Sequence, residues 1–460
     1  MATNTIAPRA FAVWWKDLHR WGVKSFQSSQ WQWPPTAIKK LATALERSFE
    51  TVDKTSFELR SEHFLSLRFT GEVEPRDLHG KSEFKGALFF AHAGDIIYSK
   101  IDVRNGAIGI IPAAISVATV TSEFPVYHIK KDVALSEYIH LVFRTEHFRR
   151  IINGMVSGAS GRKRVQPDDL ENVEIPLPPL AEQKAIVARW RKAQGEIAAA
   201  SECVEKRKIA MDARFFDDLG LRSPVQGSMP KAFAVWWKDF LRWGVSFNYL
   251  YQSGADLTRG KYPVFDMGSL LELVQYGTSE KANTNNDGVA VIRMNNILDG
   301  ELDLGNLKHL RLPKNEMAKL LLKDGDILFN RTNSKELVGK CAVFHAQGEY
   351  VFASYLIRIR AASSKADPDF LSYVINSPIG RQQVNALSRQ IIGQANINSV
   401  ELRGLQIPLP PLSVQKQIME RVTAGREEIA REREAADRLA RDINAEVEAL
   451  ILGTKKVSEL

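Results

Sequence analysis

Twelve residues are written almost identically at two places in this chain. IPLPPLAEQKAI begins at Ile175 and IPLPPLSVQKQI at Ile407, with nine of twelve letters shared at an offset of 232. Each copy forces an extended approach and then opens a helix at once. Proline is excluded from helix interiors and biases the residue before it toward extended geometry. Pro176, Pro178 and Pro179 therefore hold the chain straight, and Pro179 suits a first helical turn, where its missing N–H costs nothing. Glu182 falls near the positive end of the helix dipole. In the second copy Ser413 is expected to cap the helix.

The duplication extends well beyond this junction. AFAVWWKD occurs at Ala10–Asp17 and again at Ala232–Asp239, each followed by RWGV. AGDIIYSKID, from Ala93, aligns with DGDILFNRTN, from Asp324, at an offset of 231. Between these landmarks the copies diverge, as a frame holding two different readers would. The period is too long for a solenoid. The organisation expected is a Trp-rich lead-in and globular domain over 1–174, a proline junction and helix over 175–220, a second lead-in and domain over 221–406, and a final junction and helix over 407–460. Short β-branched or aromatic runs predict strands at 86–90, 94–101, 125–129, 289–294, 326–330, 341–344 and 355–360. Residues 136–154 and 368–387 predict helices, so the fold class is mixed α/β.

After each junction the apolar period changes. Ile186, Trp190, Ala193, Ile197, Ala200 and Val204 step by four and three residues, a heptad seam. Ile418, Val422, Gly425, Ile429, Ala436, Leu439 and Ile443 follow the same lattice, broken at Glu432. Each helix would run about 35 residues, on the order of 50 Å at 1.5 Å per residue. A lone helix with such a stripe needs a partner. The two pack most simply antiparallel, giving a pseudo-twofold tandem repeat in which the helices act as a ruler between two globular domains.

Composition excludes several classes. The chain has 460 residues, 44% hydrophobic and 25% charged, an ordinary globular balance. Two cysteines, Cys203 and Cys341, exclude a disulfide framework and suit a reducing, cytoplasmic setting. No signal peptide is read at the start, and the weakly polar run 106–120 is too short for a membrane span and is interrupted by Pro112. A net charge of +8 hints at a polyanionic partner.

The paired junctions, together with the run YGTSEKA…VIRMNNILDGELD…LLKDGDILFNRTNSKELVGKCAVF in the second copy, resemble the specificity subunits of type I restriction–modification systems. The resemblance covers nearly the whole chain. It implies two target-recognition domains alternating with two long helices. Each domain would read half of a split duplex DNA site, with the helices fixing the gap. It implies two docked methyltransferase subunits, and restriction (translocase–nuclease) subunits in the holoenzyme. No cofactor is expected in this chain, whereas S-adenosylmethionine, ATP and Mg would serve the partner subunits. The duplicated AFAVWWKD is a departure from the family pattern. Trp14, Trp15, Trp236 and Trp237 are read as core or docking residues, because stacking on bases requires splayed single strands.

Duplex readout calls for Arg or Lys at guanine and Asn or Gln at adenine, with Lys and Arg also on phosphates. Two places in each copy supply them. After the Gly-Asp-Ile strand stand Tyr98, Ser99, Lys100 and Arg104, and in the second copy Asn330, Arg331, Asn333, Ser334 and Lys335. Before the junction stand Arg162, Lys163, Arg164 and Gln166, and in the second copy Arg389, Gln394, Asn396 and Asn398. The second copy adds Tyr276, Thr278, Ser279, Lys281, Arg293 and Asn295. Each cluster taken singly reads equally as a solvated loop, and the matched positions are what raise it to a candidate.

Catalytic motifs are missing. There is no Asn/Asp-Pro-Pro-aromatic tetrapeptide beside a flipped base, so base flipping belongs to a partner. ELVGKC lacks the first glycine of a phosphate loop and ends in cysteine. PDD followed by EQK mimics a nuclease core, but the second copy has SVE and VQK there. The expectation is a non-catalytic DNA-reading subunit. The alternatives are a subunit of a modification-only or other defence complex, a self-sufficient nuclease or methyltransferase, and a scaffold that binds no DNA.

Overall fold

The computed structural model describes residues 31–76, 86–155, 164–222, 256–285, 287–334, 337–391 and 394–459, and the isolated positions 232, 234, 235 and 237. The chain divides into two units, Met1–Ser201 with Glu434–Leu460 and Glu202–Arg433.

Unit 1 is built on a four-stranded antiparallel sheet in the order Leu45–Ser48, Val126–Ile129, Ile96–Tyr98, Ile108–Ile110. Unit 2 repeats that order with Leu271–Tyr276, Leu356–Ala361, Asp326–Asn330 and Cys341–Phe344. The expected strands DILFN and CAVF form over their full spans. In each unit the proline junction pairs antiparallel with a short lead-in strand, Ile38 opposite Pro176 and Val264 opposite Pro408. The prolines thus serve a strand as well as a helix start.

Each predicted domain helix is in fact two. Helices α1 (Ser136–Arg144) and α2 (Glu146–Met155) break at Thr145, whose hydroxyl donates to the Val142 carbonyl and accepts from the Phe148 N–H. A threonine that caps the next turn ends the first helix without glycine or proline. A five-residue helix α3 (Pro167–Glu171) precedes the junction, and α4 spans Leu180–Leu219. In unit 2, after α5 (Lys314–Leu320), helices α6 (Pro368–Asn376) and α7 (Pro378–Leu387) break at Ser377, ahead of Pro378. Helix α8 (Ser399–Arg403) corresponds to α3, and α9 spans Leu412–Leu452. Ser413 is not a cap, because α9 begins one residue earlier and the Pro411 carbonyl takes the first helical bonds.

Helices α4 and α9, at 40 and 41 residues, outrun the expected length. The first stretch of α4 and the last of α9 lie in unit 1, and the remaining stretches lie in unit 2. Within unit 2, Arg207 meets Glu428 at 2.6 Å and Arg421 meets Asp218 at 2.5 Å, so numbers rise along α4 as they fall along α9. The helices are antiparallel there. In unit 1, Arg189 meets Glu446 at 2.7 Å.

The seam residues are buried as their spacing requires. Ile186 and Ala193 share the unit 1 core with Ile443, Val447 and Ile451, with Trp190, Ile197 and Leu439 packed at its edge. Ile418 and Val422 join Phe215, Phe216 and Leu219 in the unit 2 core. Val204 and Ile429 are buried as well. Gly425 faces Met211, where an added Cβ would come within 3.0 Å of the sulfur. The seam break at Glu432 has a partner, since its carboxylate accepts from Arg207 at 3.0 Å.

One residue explains the shared tail of the junction motif. Gln183 is fully buried; its amide donates to the carbonyls of Pro178 (2.8 Å) and Val133 (3.0 Å), and its oxygen accepts from the Leu135 N–H at 2.9 Å. Gln415 does the same with Pro410, Lys365 and the Asp367 N–H. Each glutamine ties the start of a long helix to the loop that opens α1 or α6, and so orients the sheet on that helix.

Candidate nucleic-acid interface

The Gly-Asp-Ile aspartate anchors the strand that leads to each candidate loop. Asp95 accepts from the His92 N–H at 2.8 Å and pairs with His128 at 2.6 Å. Asp326 is fully buried and takes two bonds from Arg360, at 2.7 and 2.9 Å, with Arg358 at 3.6 Å. Burial lowers the Arg358 pKa, and Asp326 opposes that shift. Arg358 is further fixed by the carbonyls of Leu321 (2.7 Å) and Lys319 (2.9 Å) and by Gln275.

In unit 1 the structure gathers Lys100 and Arg164 around a residue that carried no sequence signal, Glu123. The Arg164 guanidinium donates to the Glu123 carboxylate at 3.0 Å, and the Lys100 N–H donates to the Glu123 carbonyl at 3.1 Å. Gln166 is exposed directly before α3. Arg104 lies on a single 3-10 turn, Val103–Asn105, its Nε shielded and without a partner among the described residues.

In unit 2 the candidates separate into framework and surface. Asn330 is buried and donates to the Leu337 carbonyl at 3.1 Å. The Asn333 oxygen accepts from the Ser334 N–H, and Asn398 caps α8 through the N–H groups of Val400 and Glu401. The Arg293 N–H donates to Asn296 and its guanidinium reaches the Asn306 carbonyl at 3.4 Å. The Thr278 hydroxyl accepts from the Glu280 N–H. These groups hold the loops in place. Ser279, Lys281 and Asn295 are exposed.

Tyr276, Arg331 and Asn396 come together. The Arg331 guanidinium lies over the Tyr276 ring, 5.0 Å from its centroid, and donates to the Asn396 oxygen at 3.4 Å. The Tyr276 hydroxyl accepts from the Ser399 N–H at 3.0 Å. Tyr355, exposed and absent from the sequence candidates, borders the group through a bond from the Arg331 N–H to its carbonyl at 3.0 Å. Asn396 sits in a three-stranded sheet with Thr332–Asn333 and Arg389–Ile391. Arg162, Lys163, Lys335, Trp14, Trp15 and Trp236 lie outside the described residues, as do the side chains of Arg389 and Gln394.

Among the described residues no His, Cys, Asp and Glu group is placed to hold a metal ion, and no helix is long and apolar enough to cross a membrane. Burial pushes the Cys341 thiol up to about 12, far from a reactive thiolate. A cavity of about 800 Å³ in unit 2 is lined by mutually paired groups, Tyr373 with Asp212 at 3.3 Å and Arg433 with Asp299 at 3.3 Å.

Comparison with known proteins agrees with this architecture. The family model for the type I restriction modification DNA specificity domain matches residues 77–194 and 260–436. The chain is 26% identical over 288 residues to the StySPI specificity subunit of Salmonella potsdam, covering 62% of this chain and 57% of that protein. It is 24% identical over 290 residues to the EcoKI specificity subunit of Escherichia coli K12, covering 62% and 58%. The chain thus spans little more than half the length of these curated relatives. A solved chain from work on complex assembly and conformational transition of the type I R-M system shares the fold, with a TM-score of 0.57 at 16% identity over 91% of this chain and 97% of that one. With two matched stretches that fill more than half of its length, on a fold written twice, the chain belongs to the type I restriction modification DNA specificity domain family.

Proposed function

We propose that this chain is the DNA-specificity subunit of a type I restriction–modification complex. Each unit reads one half of a bipartite duplex site, and the long helices set the spacing and dock two methyltransferase subunits. The observation that carries this reading is the repetition of one sheet order and one glutamine tie around different part-exposed or exposed side chains, Lys100, Glu123 and Arg164 in one unit and Tyr276, Arg331 and Asn396 in the other. The chain itself carries no reaction. S-adenosylmethionine, ATP and Mg serve the methyltransferase and restriction subunits. Cytoplasmic duplex DNA is the substrate of the whole.

Single-molecule sequencing of modified bases in the host genome tests this directly. A split motif whose adenine methylation disappears when the gene is deleted is the expected result. An unchanged methylome would overturn it. Insertion of one heptad after Ala200 should lengthen the unspecified spacer in that motif or abolish assembly, and an unaltered spacer would remove the helices from the ruler role.

A further inference from the structure

The two units share more than a sheet order at the C-terminal end of the Gly-Asp-Ile strand. In unit 1 the Lys100 N–H donates to the Glu123 carbonyl at 3.1 Å, and the Lys100 carbonyl accepts from the Val165 N–H at 2.9 Å. In unit 2 the Arg331 N–H donates to the Tyr355 carbonyl at 3.0 Å, and the Arg331 carbonyl accepts from the Ile397 N–H at 2.9 Å. The offsets are 231 for Lys100 to Arg331 and 232 for both Glu123 to Tyr355 and Val165 to Ile397. Val165 and Ile397 are buried anchors, and the residue before each, Arg164 or Asn396, turns its side chain back onto the others.

These bonds are made by the main chain. The three side chains they present are therefore free to differ, and they do: Lys, Glu and Arg in one unit, Arg, Tyr and Asn in the other. A site that reads bases requires this combination, in which position is fixed and chemistry is open. The chemistry also fits base edges. Guanine presents two acceptors to a planar pair of donors, and a carboxylate accepts from the cytosine amino group. The Arg331 guanidinium lies over Tyr276, 5.0 Å from the ring centroid, and its contact to Asn396 is long, at 3.4 Å. In unit 1, Oε2 of Glu123 is shielded and has no partner among the described residues.

We propose that these matched positions, Lys100, Glu123 and Arg164 in unit 1 and Arg331, Tyr355 and Asn396 in unit 2, are the base-reading positions of the two half-sites, with Arg331 reading a guanine. Tyr276 is a positioning residue that orients Arg331. The proposal rests on the DNA-reading role argued above and adds which residues carry it.

The test is binding selection by the full chain in its host's methyltransferase complex, from duplex DNA randomised at both half-sites, with thermal unfolding as a control for folding. Arg331→Lys keeps the charge and loses the planar donor pair. It should lower guanine preference at one base pair of one half-site, on the order of 5- to 150-fold, with affinity for the guanine-bearing site falling in step, and leave the other half-site's preferences unchanged. Glu123→Gln should alter one position in the opposite half-site only. Unchanged preferences in both variants overturn the proposal. So does a uniform loss across all sequences with a flattened salt dependence, which marks a phosphate contact. A wild-type complex with no sequence preference overturns the DNA-reading role itself, a different and separable failure.

Discussion

Unit 1 holds the aspartate of its Gly-Asp-Ile strand against a half-exposed imidazole, Asp95 to His128 at 2.6 Å, whereas unit 2 seals Asp326 beneath Arg358 and Arg360. The register makes these the same place. Ile96 opposes Tyr127 and Ile327 opposes Ile359, so His128 and Arg360 stand at matching points of matching strands. The same sheet thus accepts a buried carboxylate facing a half-exposed imidazole or a fully buried one beneath two arginines. What the units share is carried by main chain, glutamine ties and apolar core, and the charged partners are free to differ.

The largest effect that sharpens this contrast comes from Asp326→Ala. It strands Arg358, whose side chain is 5% exposed, and should cost unit 2 on the order of 3–5 kcal/mol. Asp95→Ala removes the acceptor of the His92 N–H and leaves a partner that is 46% exposed and can turn to water, so it should cost less, about 1–2 kcal/mol. Hydrogen exchange in each core measures both, and equal losses would break the comparison. The glutamine ties should behave alike instead. Gln183→Leu and Gln415→Leu each leave a part-buried main-chain N–H, of Leu135 or Asp367, without its acceptor. Each should cost about 1–3 kcal/mol in its own unit, and a marked inequality in the melting of the two units would show that they are not equivalent.

A smaller effect separates the units by pH. Burial, helped by Arg144, pushes His140 down to about 4, and burial, helped by Arg150, does the same to His147. The unfolded chain takes these protons near pH 6.5, so the stabilisation exists above that value and is lost as pH falls toward 4. In unit 2, burial works against protonation of His345, but bonds to Asp324 and Asp369 raise its pKa overall. Its contribution is therefore present in acid and fades as pH rises. Between about pH 7 and about pH 5 exchange protection should fall in unit 1 relative to unit 2. A parallel fall in both would contradict these burials.

The repeat, the seam and five of the eight strands in the two four-stranded sheets were legible because each is a pattern of residue types. The break at Thr145 was not, since a hydroxyl that caps the next turn looks like any polar residue inside a helical run, whereas the break at Ser377 carried a visible sign in Pro378. Gln183 and Gln415 were visible as identical letters after the prolines, but their meaning depends on loops far away in sequence. The candidate loops were only partly legible. Asn330, Asn333 and Asn398 have the residue type that reads adenine, yet each is tied into the framework, through the Asn330 amide N–H and the side-chain oxygens of Asn333 and Asn398. Glu123 and Tyr355 belong to no motif and are found only through the main-chain bonds that bring them beside Lys100 and Arg331.

Those bonds have a consequence for how such a molecule changes over generations. Hydrogen bonds from peptide groups survive when side chains are exchanged, so replacing Lys100 or Arg331 leaves the local path of the chain intact. A lineage can then acquire a new preference one substitution at a time, without first repairing a damaged fold.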